Sequence, residues 1–462
     1  MQNTEKTRVE KDSLGEMPVP VAAYWGIHTQ RAIKNFPISG TRVPPVFIRA
    51  MAVVKKAACR ANQELGFLPT EKATAIAQAC DEILAGALAA EFPLDVLQGG
   101  AGTSTHMNVN EVIANRAEEI LGGQKGVYAQ VHPLAHVNLH QSTNDVYPTA
   151  LKVAVLWQLK QLSPEIAKLQ GALQAKEKEF ASVVTLGRTE MQDAVPMTLG
   201  AQFSAFAEAI GRDRWRVFKC EERVRVVNLG GTAVGTGLCA PRDYIFRVTE
   251  ILRELTALSL TAAENRVDQT ANQDALVEVS GILKAHAANL IKVAGDLRLL
   301  ASGREIVLPA MQAGSSIMPG KVNPVVLEAT IQTALKVFAD DFLLTEAVSR
   351  ATLQINEWMP LVAASVLDML ALLMAINRLL AEQIGQIQAL PDECARKVAQ
   401  SPSIVTAFLP VMGYEKAAAL LSEFAQSGGT DVRAFLVSHL GKEVVEKTLS
   451  SQNLLQLGYR HG

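Results

Sequence analysis

A chain of 462 residues that is 49% apolar but only 5% aromatic can fill two to four cores with Ala, Leu and Val, which suits helix-on-helix packing better than a sheet sandwich. Its 44 basic and 46 acidic side chains leave a net charge of −2, which excludes a general attraction to nucleic acid or to an anionic membrane. The five cysteines, Cys59, Cys80, Cys220, Cys239 and Cys394, are scattered with no CxxC pair, which excludes a disulfide framework or a zinc knuckle and fits reduced thiols in the cytoplasm.

The first residues, MQNTEKTRVEKD, are polar and lack the apolar stretch of a signal peptide. Short elements and turns continue to Leu139, so residues 1–139 are expected to form a mixed, mainly helical first domain. Gly99, Gly100 and Gly102 form no GxGxxG ahead of a helix and mark a loop, as do Gly230, Gly231, Gly235 and Gly237 further on. His132, His136 and His140 recur every fourth residue, a spacing that would align three imidazoles on a helix. Pro133 works against a regular helix there, and no Cys or acidic side chain completes a metal set, so the run is not read as a metal site.

Residues 140–390 are expected to form a central helical bundle. Proline is absent between Pro164 and Pro196, Pro196 and Pro241, Pro241 and Pro309, and on either side of Pro360, and long helices fit those gaps. In the stretch Lys152–Phe180, Leu156, Leu159, Leu162, Ile166, Leu169 and Leu173 share one side of a helix. Arg212, Arg214, Arg216, Lys219, Arg223 and Arg225, interrupted by Asp213, Glu221 and Glu222, read as a solvated helix face. Leu276, Leu283, Leu290 and Leu297 interleave with Val279, His286, Val293 and Leu300 as a packed seam, on which His286 reads as a core residue. Leu361–Ile376 is apolar almost throughout, is shorter than a bilayer span and carries Asp368, so it reads as a buried bundle helix. Residues 391–462 make a small helical C-terminal domain, and neither a strand–helix alternation nor an internal repeat is visible.

Four segments gather Gly, hydroxyl, amide and charged residues without periodicity, a composition that seldom serves a core because each polar group needs a partner. They are QGGAGTSTHMNVNE (Gln98–Glu111), HQSTNDVYPT (His140–Thr149), GRTEMQDAVP (Gly187–Pro196) and GSSIMPGKVNP (Gly314–Pro324). In the last, glycines permit a mobile loop, Ser315 and Ser316 supply hydroxyls, and Lys321 and Asn323 supply the cation and amide that hold a carboxylate.

With these residues in view, the chain resembles the aspartase/fumarase superfamily over nearly its whole length, because GSSxMPxKxNP is that superfamily's signature loop. The KVNP ending matches the aspartase and class II fumarase branch. The resemblance implies a mainly α, three-domain fold whose long five-helix bundles form a twenty-helix core in a homotetramer, with active sites shared by three subunits. It implies anti elimination from a small dicarboxylate or amino-acid substrate through an aci-carboxylate, with no cofactor and no metal. Ser315 resembles the serine base, Lys321 and Asn323 the grip on the α-carboxylate, with Thr189 nearby. Thr103, Ser142, Thr143 and Ser316 resemble the hydroxyl cluster around the β-carboxylate, and Asn144 the group at the leaving amine.

QGGAGTS, QSTND and QDAVP lean toward aspartase, whereas LGGTAVGTG (Leu229–Gly237) leans toward fumarase. Glu190 stands where relatives carry His or Gln, and a carboxylate there favours an amine substrate. Ser302–Pro309 is a shortened form of a loop lining the entrance, Leu134 and Ala135 remove an Asn–Asp pair, and His106 replaces an Asn. The expected activity is conversion of L-aspartate to fumarate and ammonia. A fumarase, a lyase for another amine adduct of fumarate, and a non-catalytic scaffold stay open as alternatives.

Overall fold

Stretches free of proline keep their i to i−4 hydrogen bonds, and in the computed structural model, which describes residues 6–456 and 458, most of them are helices. A hairpin of β1 (Thr7–Asp12) and β2 (Gly15–Pro20) precedes α1 (Ile27–Asn35), α2 (Pro45–Glu64), α3 (Thr70–Leu84) and α4 (Thr103–Ile120). Next come α5 (Thr143–Glu179), the antiparallel hairpin of β3 (Val184–Thr189) and β4 (Gln192–Thr198), and α6 (Leu199–Val224). The chain continues through β5 (Val226–Val227), α7 (Arg242–Thr256), β6 (Thr261–Ala262), α8 (Arg266–Ala271) and α9 (Asp274–Ser302). It then forms β7 (Ile306–Val307), α10 (Val325–Ser349), α11 (Met359–Gly385), β8 (Gln388–Ala389), α12 (Pro391–Gln400) and shorter helices. Each sheet among the described residues has only two strands, β5 with β6 in parallel and β7 with β8 antiparallel.

The contacts group into two units. One comprises the residues up to Leu162, Arg216–Lys284 and Lys336–Leu372, and the other Ser163–Trp215, Ala285–Leu335 and Leu373 onward. In the first, α2 packs on α3 and α7, and α3 on α4. Phe47, Met51, Ile76 and Ile113 are fully buried, and the Phe47 ring meets Tyr147 edge-on with centroids 4.6 Å apart. In the second, Ile166, Leu169, Leu173, Leu290, Val293 and Leu297 are buried, so the periodic seams of α5 and α9 do face a core.

One charged position and one helix length differ from the sequence expectation. Asp213 is not on the solvated face of α6: it is buried, taking hydrogen bonds from Asn289 Nδ2 at 2.8 and 3.0 Å and lying 3.0 Å from His286 Nδ1. His286 also meets Asn377, so a polar set sits inside the seam with its groups paired to one another. The helix containing Leu361–Ile376 is longer than its apolar run and spans 27 residues. It is the one helix among the described residues long and apolar enough to cross a membrane. Val362, Val366, Met369, Leu373, Ile376, Leu380 and Ile384 are nonetheless buried at bundle-like spacing, with Asn377 and Gln383 beside them.

Gly102, immediately before α4, has φ +90°, and a Cβ there would lie 2.2 Å from the Tyr147 ring. Gly102→Ala is therefore expected to destabilise the protein by about 2 kcal/mol or more, from left-handed backbone strain and the ring clash together. Chemical denaturation of parent and variant measures the difference, which a Gly102→Ala midpoint equal to the parent's would refute.

Candidate active site

The start of α5 holds the first polar cluster, in the first unit. Ser142 caps the helix, its Oγ accepting from Asn144 N at 3.3 Å. The Asp145 carboxylate reaches back to Ser142 N at 2.9 Å and sideways to Gly230 N at 3.0 Å and Thr232 N at 3.2 Å. Asn144 Nδ2 donates to Ala233 O at 2.7 Å, and Asn228 Nδ2 donates to Asn144 O at 2.9 Å. Asp145 and Asn144 thus pin the glycine-rich loop Leu229–Gly237 to the helix start. Asp145 is fully buried, and burial pushes its pKa up to about 6 against the three N–H donors.

The cluster brings Thr103, the first residue of α4, within 3.3 Å of Thr143 Oγ1. On the other side of Thr143 lies His106 Nδ1, at 2.8 Å, and His106 Nε2 is 2.5 Å from Lys55 Nζ. Lys55 also donates to Asn138 Oδ1 and Gln141 Oε1, each at 2.9 Å. Burial pushes Lys55 down to about 7 and holds His106 well below the usual imidazole range, helped there by the Lys55 charge. Lys55 has no role in the sequence reading, although a lysine inside the apolar helical run AMAVVKKAAC is the signal that marks it.

The three histidines spaced by four have separate occupations. His132 Nδ1 accepts from Leu134 N and Ala135 N at the start of a single π-helical turn, Pro133–Val137. His136 Nδ1 accepts from His132 N at 2.8 Å, and His140 Nδ1 lies 2.7 Å from Asn62 Oδ1. Among the described residues no group of three or more His, Cys, Asp or Glu is placed to hold a metal ion.

In the second unit, Gly314–Pro324 is an irregular loop leading into α10. Its ends are tied by Gly314 N donating to Lys321 O at 2.7 Å and Asn323 Nδ2 donating to Gly314 O at 2.7 Å. A Cβ at position 314 would lie 2.6 Å from Lys321 O, so only glycine permits this closure. Inside the loop, Ser315 Oγ accepts from Ile317 N at 3.2 Å and Met318 N at 2.9 Å. Ser316 and Lys321 are exposed, and Ile317 is 84% exposed.

Thr189 and Glu190 lie at the tip of the β3–β4 hairpin, also in the second unit. Thr189 pairs with Gln192, and Glu190 and Met191 form the turn with φ of +50° and +65°. Two positive φ values are what a tight I′ hairpin turn demands, here met by residues other than Gly or Asn. The hairpin is held by Glu305, which is 1% exposed and takes Arg188, Thr185 Oγ1 (3.2 Å) and Lys397 (3.7 Å). Glu305 belongs to the shortened Ser302–Pro309 segment, whose β7 pairs with β8. A cavity of about 830 Å³ is lined by that segment, Arg298 and Val322–Pro324. Glu190 lines a second one of about 350 Å³ with Arg188, Lys292 and Asp296. The structure thus gathers Thr103, Ser142, Thr143 and Asn144 in one unit, and carries Thr189, Glu190, Ser315, Ser316, Lys321 and Asn323 in the other.

Comparison with known proteins is consistent across sequence and structure. The model of a family described as Lyase matches residues 15–339. An aspartate ammonia-lyase from Bacillus sp is 42% identical, with 99% of each chain covered, and one from Pseudomonas aeruginosa is 44% identical, covering 93% of this chain and 92% of its own. A crystal structure titled fumarate lyase:delta crystallin from Brucella melitensis, bound to cobalt, superposes with a TM-score of 0.93 at 43% identity, covering 97% of this chain and 99% of that one. Class II fumarase from Schistosoma mansoni superposes with a TM-score of 0.89 at 32% identity, covering 96% and 98%.

Removing the Glu305 carboxylate leaves Arg188 and Lys397 without it and frees the hairpin that carries Glu190. Glu305→Ala is expected to lower the unfolding free energy by about 3 kcal/mol. Urea titration of the variant checks this, and a loss below about 1 kcal/mol would place Glu305 among ordinary surface pairs.

Proposed function

The chain belongs to the lyase family whose model spans residues 15–339, and from that premise we propose that it is a carbon–nitrogen lyase converting L-aspartate reversibly to fumarate and ammonia. The observation that carries the proposal is the setting of Ser315, whose Oγ already receives two backbone N–H groups. A serine hydroxyl is a weak base at its free pKa. N–H donors aimed at the oxygen stabilise its alkoxide form, and the exposed Lys321 adds a positive charge in the same loop.

In the proposed reaction the Ser315 alkoxide takes the Cβ proton, and the electron pair moves into the β-carboxylate to give the aci-carboxylate dianion. Thr103, Ser142, Thr143 and Ser316 are assigned to that group, where each well-aimed donor is worth about 3 kcal/mol of barrier. Lys321 and Asn323, with Thr189, hold the α-carboxylate. The dianion then collapses, the C–N bond breaks and ammonia leaves with its electron pair at Asn144. Glu190 accepts hydrogen bonds from the α-ammonium of the bound amino acid. The reading includes a cytoplasmic homotetramer with active sites shared by three subunits.

Ser315→Ala is expected to lower kcat by about a hundred- to ten-thousandfold while leaving the fold intact. Fumarate release monitored by ultraviolet absorbance from aspartate, malate and N-substituted aspartates measures both the loss and the substrate. Turnover of malate in place of aspartate would make the protein a fumarase, and turnover of an N-substituted aspartate alone a lyase for that adduct. An unaltered Ser315→Ala variant across the panel would instead favour a scaffold. Glu190→Gln is expected to raise the KM for aspartate about fivefold, the effect of losing one exposed ion pair. Identical KM values would remove Glu190 from amine recognition.

A further inference from the structure

Resting on the functional reading above, we propose that Lys55 and His106 are positioning residues that orient the Thr143 hydroxyl as a hydrogen-bond donor toward the substrate's β-carboxylate. The proton of each group in the chain is fixed by its neighbours. Asn138 Nδ2 donates to Gln141 O at 3.2 Å, and Gln141 Nε2 donates to Val137 O and Leu139 O at 3.0 and 3.1 Å. Those bonds fix both amides with their oxygens toward Lys55, which meets them at 2.9 Å. As the ammonium, the form it takes below about pH 7, Lys55 has three donors and no acceptor, and its third neighbour is His106 Nε2 at 2.5 Å.

His106 Nε2 is therefore the bare nitrogen, and the ring proton sits on Nδ1. That N–H points at Thr143 Oγ1, 2.8 Å away. Thr143 must accept from His106, and with Thr103 Oγ1 donating at 3.3 Å its oxygen takes two hydrogen bonds. Its own proton is left for a ligand. Lys55 is fully buried and His106 is 1% exposed, whereas Thr143 is partly open to solvent. The chain thus runs from a buried cation, through an imidazole of fixed tautomer, to a hydroxyl at the surface of the cluster. A charge-assisted chain of this kind polarises the terminal O–H and strengthens its bond to an anion.

The probe is succinate, a dicarboxylate with no leaving group, titrated calorimetrically into the full-length protein. His106→Leu removes both ring contacts, while His106→Gln keeps one acceptor and one donor on a longer amide. His106→Leu is expected to weaken succinate about tenfold, as loss of a hydrogen bond to a charged group does. His106→Gln should recover much of that affinity. In a Thr143→Val background, His106→Leu should change the affinity less than about twofold, because the hydroxyl it orients is gone. KM for the substrate should rise more than kcat falls. Nitrogen NMR of histidine-labelled parent protein, recorded near pH 6 where Lys55 is the ammonium, should show His106 protonated at Nδ1 and bare at Nε2, a readout independent of whether any variant folds. Equal affinity in folded His106→Leu, an undiminished loss in the Thr143→Val background, or a proton on Nε2 would each overturn the inference. A parent protein that binds no succinate would instead defeat the functional reading beneath it, and the inference with it.

Discussion

Burying a charge away from water is costly unless every one of its hydrogen bonds is replaced, and two such charges organise the first polar cluster. Asp145 meets this demand with the backbone N–H groups of Ser142, Gly230 and Thr232. Lys55 meets it with His106, Asn138 and Gln141. Neither reaches the surface, yet between them they fix the start of α5, the loop after β5 and the ring beside Thr143. The hydroxyls of the cluster are placed by groups behind them. A substitution at Lys55 or Asp145 therefore acts first on the backbone and rotamers around them and only then on Ser142 or Thr143.

Backbone geometry sets the second group of residues by a different route. Gly314 closes its loop because the Lys321 carbonyl occupies the space a side chain would need. Ser315 then sits where two successive N–H groups converge on its oxygen, and no side-chain partner is required to hold it. At the β3–β4 tip the demand is reversed. Strand pairing up to Thr189 and Gln192 leaves only two residues to reverse the chain, so Glu190 and Met191 accept left-handed φ values that cost about 1 kcal/mol each. The pairing is sustained by Glu305 below it and by a buried apolar group, Leu186, Val398, Ile404, Phe408 and Phe424, against which the hairpin rests.

Periodicity made α9 legible, because leucines every seventh residue on a proline-free stretch have few other solutions, whereas α5 runs on through Pro148 and Pro164. Composition made the loop Gly314–Pro324 legible, since its polar groups serve no core. The direction of Asp213 was not legible: a lone acid among arginines looks solvated until His286 and Asn289, some seventy residues away, turn out to face it. Nor was the role of Lys55. One-dimensional reading treats a lysine beside another lysine as surface, and only the meeting of α2 with α4 and the turn before α5 reveals three acceptors around it. The extra length of α11 was not legible either, because polar residues at its ends, such as Gln383, are buried within the bundle helix.

On the proposed reading, different segments carry the chemistry and the choice of substrate. The loop that presents Ser315 is closed by main-chain contacts and one asparagine, so its geometry depends little on which group a substrate carries at its α-carbon. Glu190 is different. Arg188, two residues before it in the hairpin, lines the same cavity. Glu305 engages that guanidinium, with Lys397 nearby. The buried carboxylate gains much from that cation, because an uncompensated charge is costly away from water. On the proposed reading, a ligand ammonium supplies the cation that Arg188 does not, and a substrate offering a hydroxyl in its place brings no charge to answer Glu190. On that reading, amine preference rests on Glu305, which engages Arg188 beneath the hairpin, as much as on Glu190 itself.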